Sequence, residues 1–334
     1  MAQRLLGVQA QNLRAARLAV RARTTGVSAA DVNRELGEER SVVVSWLNRG
    51  TLHLVDREDF AWLLGLTAPT QVVGNRRRLL QLGFSAARSD DAVRMIEQEL
   101  AEHGPLSRAA LVERLGRRGV PTGGQRIVHL LFLAALGGGI IRGPFVGAEQ
   151  AFVLTSDWLG ERPDARLTGS SRDQALAELA VRYLAGHGPA SAADLALWSG
   201  LPVRDARLGI RAAGDRLRLL PGNLVAHAAA PPARGPVPPR LLGAFDPYVL
   251  GWKDRTFAVP AAYGDRVRGG GLIRPVVLIG GAAAGTWTTA RSGRRLAVAL
   301  DAWMLLGESE RLALAAEAEA VARFEGAALA PGRV

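Results

Sequence analysis

Three serines, each heading an Ala- and Leu-rich stretch, recur along this chain in similar surroundings. Internal repetition constrains a fold more than any single motif. Gly26-Val27-Ser28-Ala29-Ala30-Asp31-Val32 is echoed by Gly188-Pro189-Ala190-Ser191-Ala192-Ala193-Asp194-Leu195. Between them, His103-Gly104-Pro105-Leu106-Ser107 matches His187-Gly188-Pro189-Ala190-Ser191. Ser28, Ser107 and Ser191 stand 79 and 84 residues apart. Each is an expected helix N-cap, its hydroxyl accepting from the otherwise unpaired amides of the first turn.

The flanks repeat as well. Ahead of Ser107, Val93, Ile96 and Leu100 fall at helical spacing; ahead of Ser191, Leu176, Leu179, Val181 and Leu184 do the same. Behind each cap the pattern predicts a short helix, a turn and a further helix, and then strands. These strands are expected at residues 51–55 in the first copy, 140–142 with 151–154 in the second, and 216–220 with 224–227 in the third. Helix, capped helix, second helix and hairpin is the order of a winged helix-turn-helix. Pro231, Pro232, Pro236, Pro238 and Pro239 then mark a linker. Beyond it, residues 272–278, 285–290 and 296–300 predict a β-meander, and 308–324 a closing helix. The expected fold class is α+β and helix-rich: three tandem winged helix-turn-helix units and a small C-terminal β-rich domain. The units are expected at residues 1–66, 85–156 and 170–229, and the last domain at 240–334.

Composition narrows the partner. The 334 residues carry a formal charge of +11 and include no cysteine. A disulfide framework, thiolate metal sites and a Cys nucleophile are therefore excluded. The basic balance points to nucleic acid first and an anionic membrane second. The charge is uneven. Residues 1–84 hold twelve basic and seven acidic side chains, a net +5, whereas 85–168 are neutral. Residues 169–239 and 240–334 carry +3 each. The first unit and the two C-terminal regions are the expected DNA-facing parts, with salt-dependent binding. The most apolar stretch, 127–141, contains His129 and three glycines and is shorter than the roughly 20 residues a membrane span needs. No export signal is legible in MAQRLLGVQAQ, so a cytoplasmic, nucleoid-associated monomer without a membrane contact is the expectation.

Side-chain chemistry is sparse. His53, His103, His129, His187 and His227 form no close pair, so neither a metal site nor a cofactor is expected. His103 and His187 read as helix-end residues favoured by the dipole, and His129 as a satisfied core residue. Gly137-Gly138-Gly139 and Gly269-Gly270-Gly271 read as turns rather than phosphate loops. Asn12 is an expected cap for a basic amphipathic helix over 13–23. If the residues before it are extended, Gln9 and Gln11 project to one side at a helix N-terminus that favours anions and polarised water. Arg14 lies in that helix's first turn. In a strand over 51–55, Thr51, His53 and Val55 share a face; if Leu52 and Leu54 are buried, His53 points to solvent or a channel. Arg49, just ahead, is a candidate phosphate ligand. Asp246 at a turn reads first as a local cap. Winged helices most often serve non-enzymatic DNA-binding proteins, such as transcription regulators or damage-binding modules, and these residues alone leave that alternative open.

Gln9-Ala10-Gln11 ahead of Arg49-Gly50-Thr51-Leu52-His53-Leu54-Val55 resembles the AlkZ family of winged-helix DNA glycosylases, relatives of YcaQ. The block running from Ala244-Phe245-Asp246-Pro247-Tyr248 to Lys253-Asp254-Arg255, then Ile273-Arg274-Pro275 and Gly285-Thr286-Trp287, agrees in order and spans most of the chain. The resemblance implies tandem winged helices around a DNA channel and excision of N7-alkylated guanine from double-stranded DNA. In some members it extends to unhooking interstrand crosslinks left by alkylating antibiotics, hence self-resistance. It places the catalytic motif on Gln9 and Gln11, where the YcaQ branch ends in Asp. It makes Arg14, Arg49, Thr51, His53, Asp246, Tyr248 and Arg274 candidate DNA or active-site neighbours. Members usually carry another helical segment before the motif, where only eight residues precede Gln9; the resemblance implies either a misassigned or truncated start or an abbreviated first unit. The chemistry suits this substrate. An N7-alkylated guanine is cationic and leaves without a general acid, so the remaining needs are a positioned water and stabilisation of an oxocarbenium-like sugar. Two neutral amides can orient that water by donating and accepting, with their carbonyl dipoles facing the developing charge.

Overall fold

A computed structural model describes residues 1–331 apart from Ala148, Ala165, residues 232–234 and Pro236. In chain order it begins with α1 (Ala2–Leu5), β1 (Val8–Gln9), α2 (Leu13–Arg21), α3 (Ala29–Gly37), β2 (Val42–Trp46), β3 (Leu52–Asp56) and α4 (Arg57–Gln81). The middle holds α5 (Ala86–His103), α6 (Arg108–Arg117), α7 (Arg126–Leu136), β4 (Ile140–Val146), β5 (Glu149–Leu154) and α8 (Thr155–Leu159). Next come α9 (Gly169–His187), α10 (Ala192–Ser199), α11 (Val203–Ala212), β6 (Leu217–Leu220), β7 (Leu224–His227), β8 (Arg240–Leu242) and α12 (Pro247–Leu250). The C-terminal part is α13 (Gly264–Val267), β9 (Arg268–Gly269), β10 (Leu272–Ile273), β11 (Val276–Ile279), β12 (Ala282–Ser292), β13 (Arg295–Ala302), α14 (Glu308–Phe324) and β14 (Ala328–Leu329). The chain divides into two compact units.

The capping serines behave as their chemistry demands. Ser107 Oγ accepts from Ala110 N. Ser28 and Ser191 form reciprocal boxes: each Oγ accepts from the amide of Asp31 or Asp194, and each carboxylate accepts from the serine's own amide.

One unit comprises Glu35–Val181 and Ser199–Gly214. Its strands β3, β2, β4 and β5 lie side by side in that order, with Val43 opposite Val55, Ser45 opposite His53 and Val44 opposite Arg142. Ile96, Leu100, Leu111, Leu115, Leu130, Leu131 and Phe152 build its core from α5, α6, α7 and β5. Here the first repeat departs from expectation. A strand, β2, stands where a second helix was expected after the Ser28 cap, because Val42-Val43-Val44 is a β-branched run that suits a sheet better than a helix. Residue 66, the expected end of the first unit, lies inside the 25-residue α4. Helix α4 is started by Asp56, whose carboxylate accepts from Glu58 N.

The other unit comprises Met1–Arg34, Arg182–Trp198 and Asp215–Val334. A five-stranded sheet, ordered β14-β13-β12-β11-β8, carries its core of Leu242, Val249, Val267, Val276, Leu278 and Ala283. The single strand expected over 272–278 is two, β10 and β11. Pro275 separates them because it has no amide to give a ladder. Helix α14 occupies the expected 308–324. Of the linker prolines, Pro231, Pro238 and Pro239 lie in irregular backbone, and Pro232 and Pro236 lie outside the described residues.

Candidate active site and DNA-contact residues

The glutamine motif sits between a short strand and a capped helix. Gln9 ends β1, Gln11 lies in a bend, and Asn12 has extended backbone with its Oδ1 accepting from Ala15 N at 3.1 Å. Val8 and Ala10 are buried, Gln9 is half-buried and Gln11 exposed. That alternation is what extended backbone produces when one face packs inward. The two glutamines flank buried Ala10 immediately ahead of the amide-rich end of α2. Neutral amides in such a position can hold a water by one donated and one accepted bond.

Helix α2 is fastened along its length to C-terminal elements of the same unit. Arg14 Nε donates to Glu325 Oε1 at 3.0 Å. Arg21 Nη2 donates to Glu317 Oε2 and to the Leu241 carbonyl, both at 2.8 Å. Just past the helix, Arg23 forms a two-pronged pair with Asp246 at 2.6 and 2.9 Å. Arg14 is thus already engaged by a carboxylate. Asp246, a candidate from sequence, is fully buried; besides Arg23 it accepts from Tyr248 N at 2.8 Å and caps α12. Tyr248 donates its hydroxyl to the Gly281 carbonyl at 2.8 Å, and burial raises its pKa. Both side chains hold the local backbone. Arg274 is exposed and pairs with no carboxylate among the described residues.

Arg49, Thr51 and His53 belong to the other unit. Arg49 sits in a 3-10 turn with φ +54°, and a Cβ on Gly200 would lie 2.8 Å from its backbone nitrogen. Thr51 Oγ1 donates to the Asn48 carbonyl at 3.1 Å. His53 corrects the sequence expectation. It points neither to solvent nor to an open channel, being 2% exposed on a strand whose Leu52, Leu54 and Val55 are buried as well. Alternation cannot expose a face when both faces of the strand are covered. Burial, with the Arg49 charge adding to it, pushes the imidazole pKa down to about 3, so the ring is neutral at physiological pH. The 2.9 Å contact from Nδ1 to the Thr51 carbonyl requires a proton on Nδ1, which makes Nε2 the acceptor. Opposite it stands Ser45, completely buried, whose Oγ has no hydrogen-bond partner among the described residues; Asn48 Oδ1 is in the same state.

The candidates therefore fall into two groups: Gln9, Gln11, Arg14, Asp246, Tyr248 and Arg274 in one unit, and Arg49, Thr51 and His53 in the other. Sequence reading missed Ser45 and Asn48, which the β2 register would have set near His53, and it missed Glu317 and Glu325. No group of three or more His, Asp or Glu among the described residues is arranged to hold a metal ion. No helix is long and apolar enough to cross a membrane among those residues.

A family model described as DNA glycosylase AlkZ-like matches residues 2–324. Among solved structures the chain is similar to Streptomyces sahachiroi DNA glycosylase AlkZ, at 26% identity and a TM-score of 0.73, over 99% of this chain and 91% of that one. No curated protein sequence matches. With a buried scaffold that holds Gln9-Ala10-Gln11 at a helix start, and a family match over nearly its whole length, this chain belongs to the AlkZ-like family of DNA glycosylases.

Proposed function

We propose that this protein excises N7-alkylated, cationic guanine from double-stranded DNA, with Gln9 and Gln11 holding the attacking water. The observation that carries the proposal is the pair of amides flanking a buried Ala10, directly ahead of the Asn12-capped α2. Burial of the middle residue, Ala10, limits how far the two flanking side chains can move relative to each other. The first amides of the helix favour the electron-rich side of a bound water. The glutamine carbonyls face the sugar as it gains positive charge, and a cationic base departs without a proton donor. Neutral amides are weak bases, so undamaged purines are not substrates. Arg49 acts in this reading on the DNA side, as do half-buried Thr51 and exposed Arg274, whereas buried, neutral His53, with Nδ1 donating to the Thr51 carbonyl, holds the strand beside them. Asp246 and Tyr248 support the backbone next to them.

The same reading takes residues 85–156 and 170–229 as winged-helix units that contact DNA and residues 240–334 as a further domain, with β2 giving the first repeat a strand where such a unit has its second helix. It extends the substrate to bulky N7 adducts and interstrand crosslinks, since a base that leaves unaided needs no tight pocket. Three duplexes test it: one with N7-methylguanine, one with a bulky N7 monoadduct and one with an interstrand crosslink. Abasic sites in the first two and separated strands in the third are expected, and binding to all three with no base released would identify a non-enzymatic damage-binding protein instead.

A further inference from the structure

We propose that Glu325 and Glu317, at the end and in the middle of α14, are positioning residues that set the glutamine pair; this rests on the reading of Gln9 and Gln11 given above. Neither touches the motif. Their action runs through α2, whose first helical residue is Leu13, one residue beyond Asn12 and two beyond Gln11. Arg14 meets Glu325 at 3.0 Å, and Arg21, two turns later, meets Glu317 at 2.8 Å, so α2 and α14 run antiparallel with their arginines and glutamates in register. Both carboxylates are sheltered, with side-chain exposures of 9% and 13%. Glu317 is a hub: it also accepts from Leu241 N at 3.0 Å and from Arg240 at 3.4 Å, which ties α2 to the edge strand β8. A helix fastened through two residues of one face, two turns apart, resists both rotation and sliding, and the Asn12 cap passes that constraint to Gln11.

Glu325 has a second effect. Arg14 lies within a turn of Gln11, and its charge would oppose a cationic sugar; the carboxylate offsets that charge. Arg17 feels the same carboxylate, which raises its pKa against the stronger lowering by burial.

The test uses the full chain with Glu317→Gln, Glu325→Gln and the reversed pair Arg14→Glu with Glu325→Arg. Single-turnover excision of N7-methylguanine, DNA Kd and Tm are measured for each. Each Glu→Gln change is expected to slow excision about 10- to 100-fold, as small misplacements of catalytic groups do. Kd should stay within about twofold, and the reversed pair should recover most of the rate relative to Arg14→Glu alone. In a Gln11→Ala background the Glu→Gln changes should add less than about twofold. Unchanged rates in the folded Glu→Gln proteins, or a full additional loss in the Gln11→Ala background, overturn the proposal. Full activity of Gln9→Ala and Gln11→Ala overturns the reading on which it rests. Inactive glutamine variants beside fully active glutamate variants overturn the positioning alone.

Discussion

Lowering the pH from 7.5 to 5 should weaken the unit that contains His187, by an amount set by how that ring is packed. His187 is 2% exposed. It stacks on Tyr183 at 4.9 Å with the planes 10° apart, and it meets Trp198 at 5.7 Å and Trp252 at 5.4 Å. Gly251 leaves it room, since a Cβ there would stand 2.3 Å from the ring. Burial pushes its pKa down from 6.5 to about 4. The Tyr183 carbonyl and Asp246 pull the other way, without aligning as hydrogen-bond partners of either ring nitrogen, and Arg23 adds to the lowering. Above pH 6.5 the ring is neutral folded or unfolded and contributes no pH dependence. Below it the unfolded chain takes a proton that the folded chain refuses, so stability falls as pH falls, until the folded ring titrates near 4. The full loss is about 3 kcal/mol, of which about 2 kcal/mol has accrued at pH 5. Urea unfolding at the two pH values, on the native chain and on His187→Phe and His187→Gln, measures this. The variants should lose about 2 kcal/mol less between pH 7.5 and 5 than the native chain, whatever their stability at 7.5. An identical pH dependence in all three proteins would refute the assignment of a buried neutral ring.

Other packing features give direct tests. Asp246→Ala removes both prongs from Arg23 and the cap from α12, and should cost about 3–5 kcal/mol by chemical denaturation, the usual effect of stranding a sheltered charge. Gly200→Ala places a Cβ 2.8 Å from Arg49 N at a φ of +77°, so a loss of about 1–3 kcal/mol is expected, again read from urea curves. Ser107→Ala deletes one helix cap and should cost about 1 kcal/mol.

Local chemistry was legible wherever it acts over a few residues. Ser28, Ser107, Ser191 and Asn12 cap helices because a short side chain ahead of a helix has one low-energy use, and that use is written in the neighbouring four residues. The 308–324 helix followed from its Ala- and Glu-rich composition, and the 224–227 strand from the Pro221-Gly222-Asn223 turn ahead of it. Long-range effects were not legible. Val42-Val43-Val44 becomes a sheet strand by pairing with β3 and β4, and a helix-turn-helix template hid that option. His53 sits on a strand covered on both faces, a condition that alternation of apolar residues cannot report. Glu317 and Glu325 look like solvated residues of an Ala- and Glu-rich helix; only the fold brings Arg14, Arg21 and Leu241 to them. Gln9 and Gln11 stood out through resemblance to a family, since two glutamines carry no chemical signature of their own.

The central claim is that two neutral amides perform the reaction, and single-turnover excision of N7-methylguanine by Gln9→Ala and Gln11→Ala tests it most directly. Each variant should lose about 100-fold or more in rate, the typical effect of removing a preorganised hydrogen-bonding group, while DNA Kd stays within about twofold. Excision at the native rate by both variants, with DNA binding intact, would contradict it.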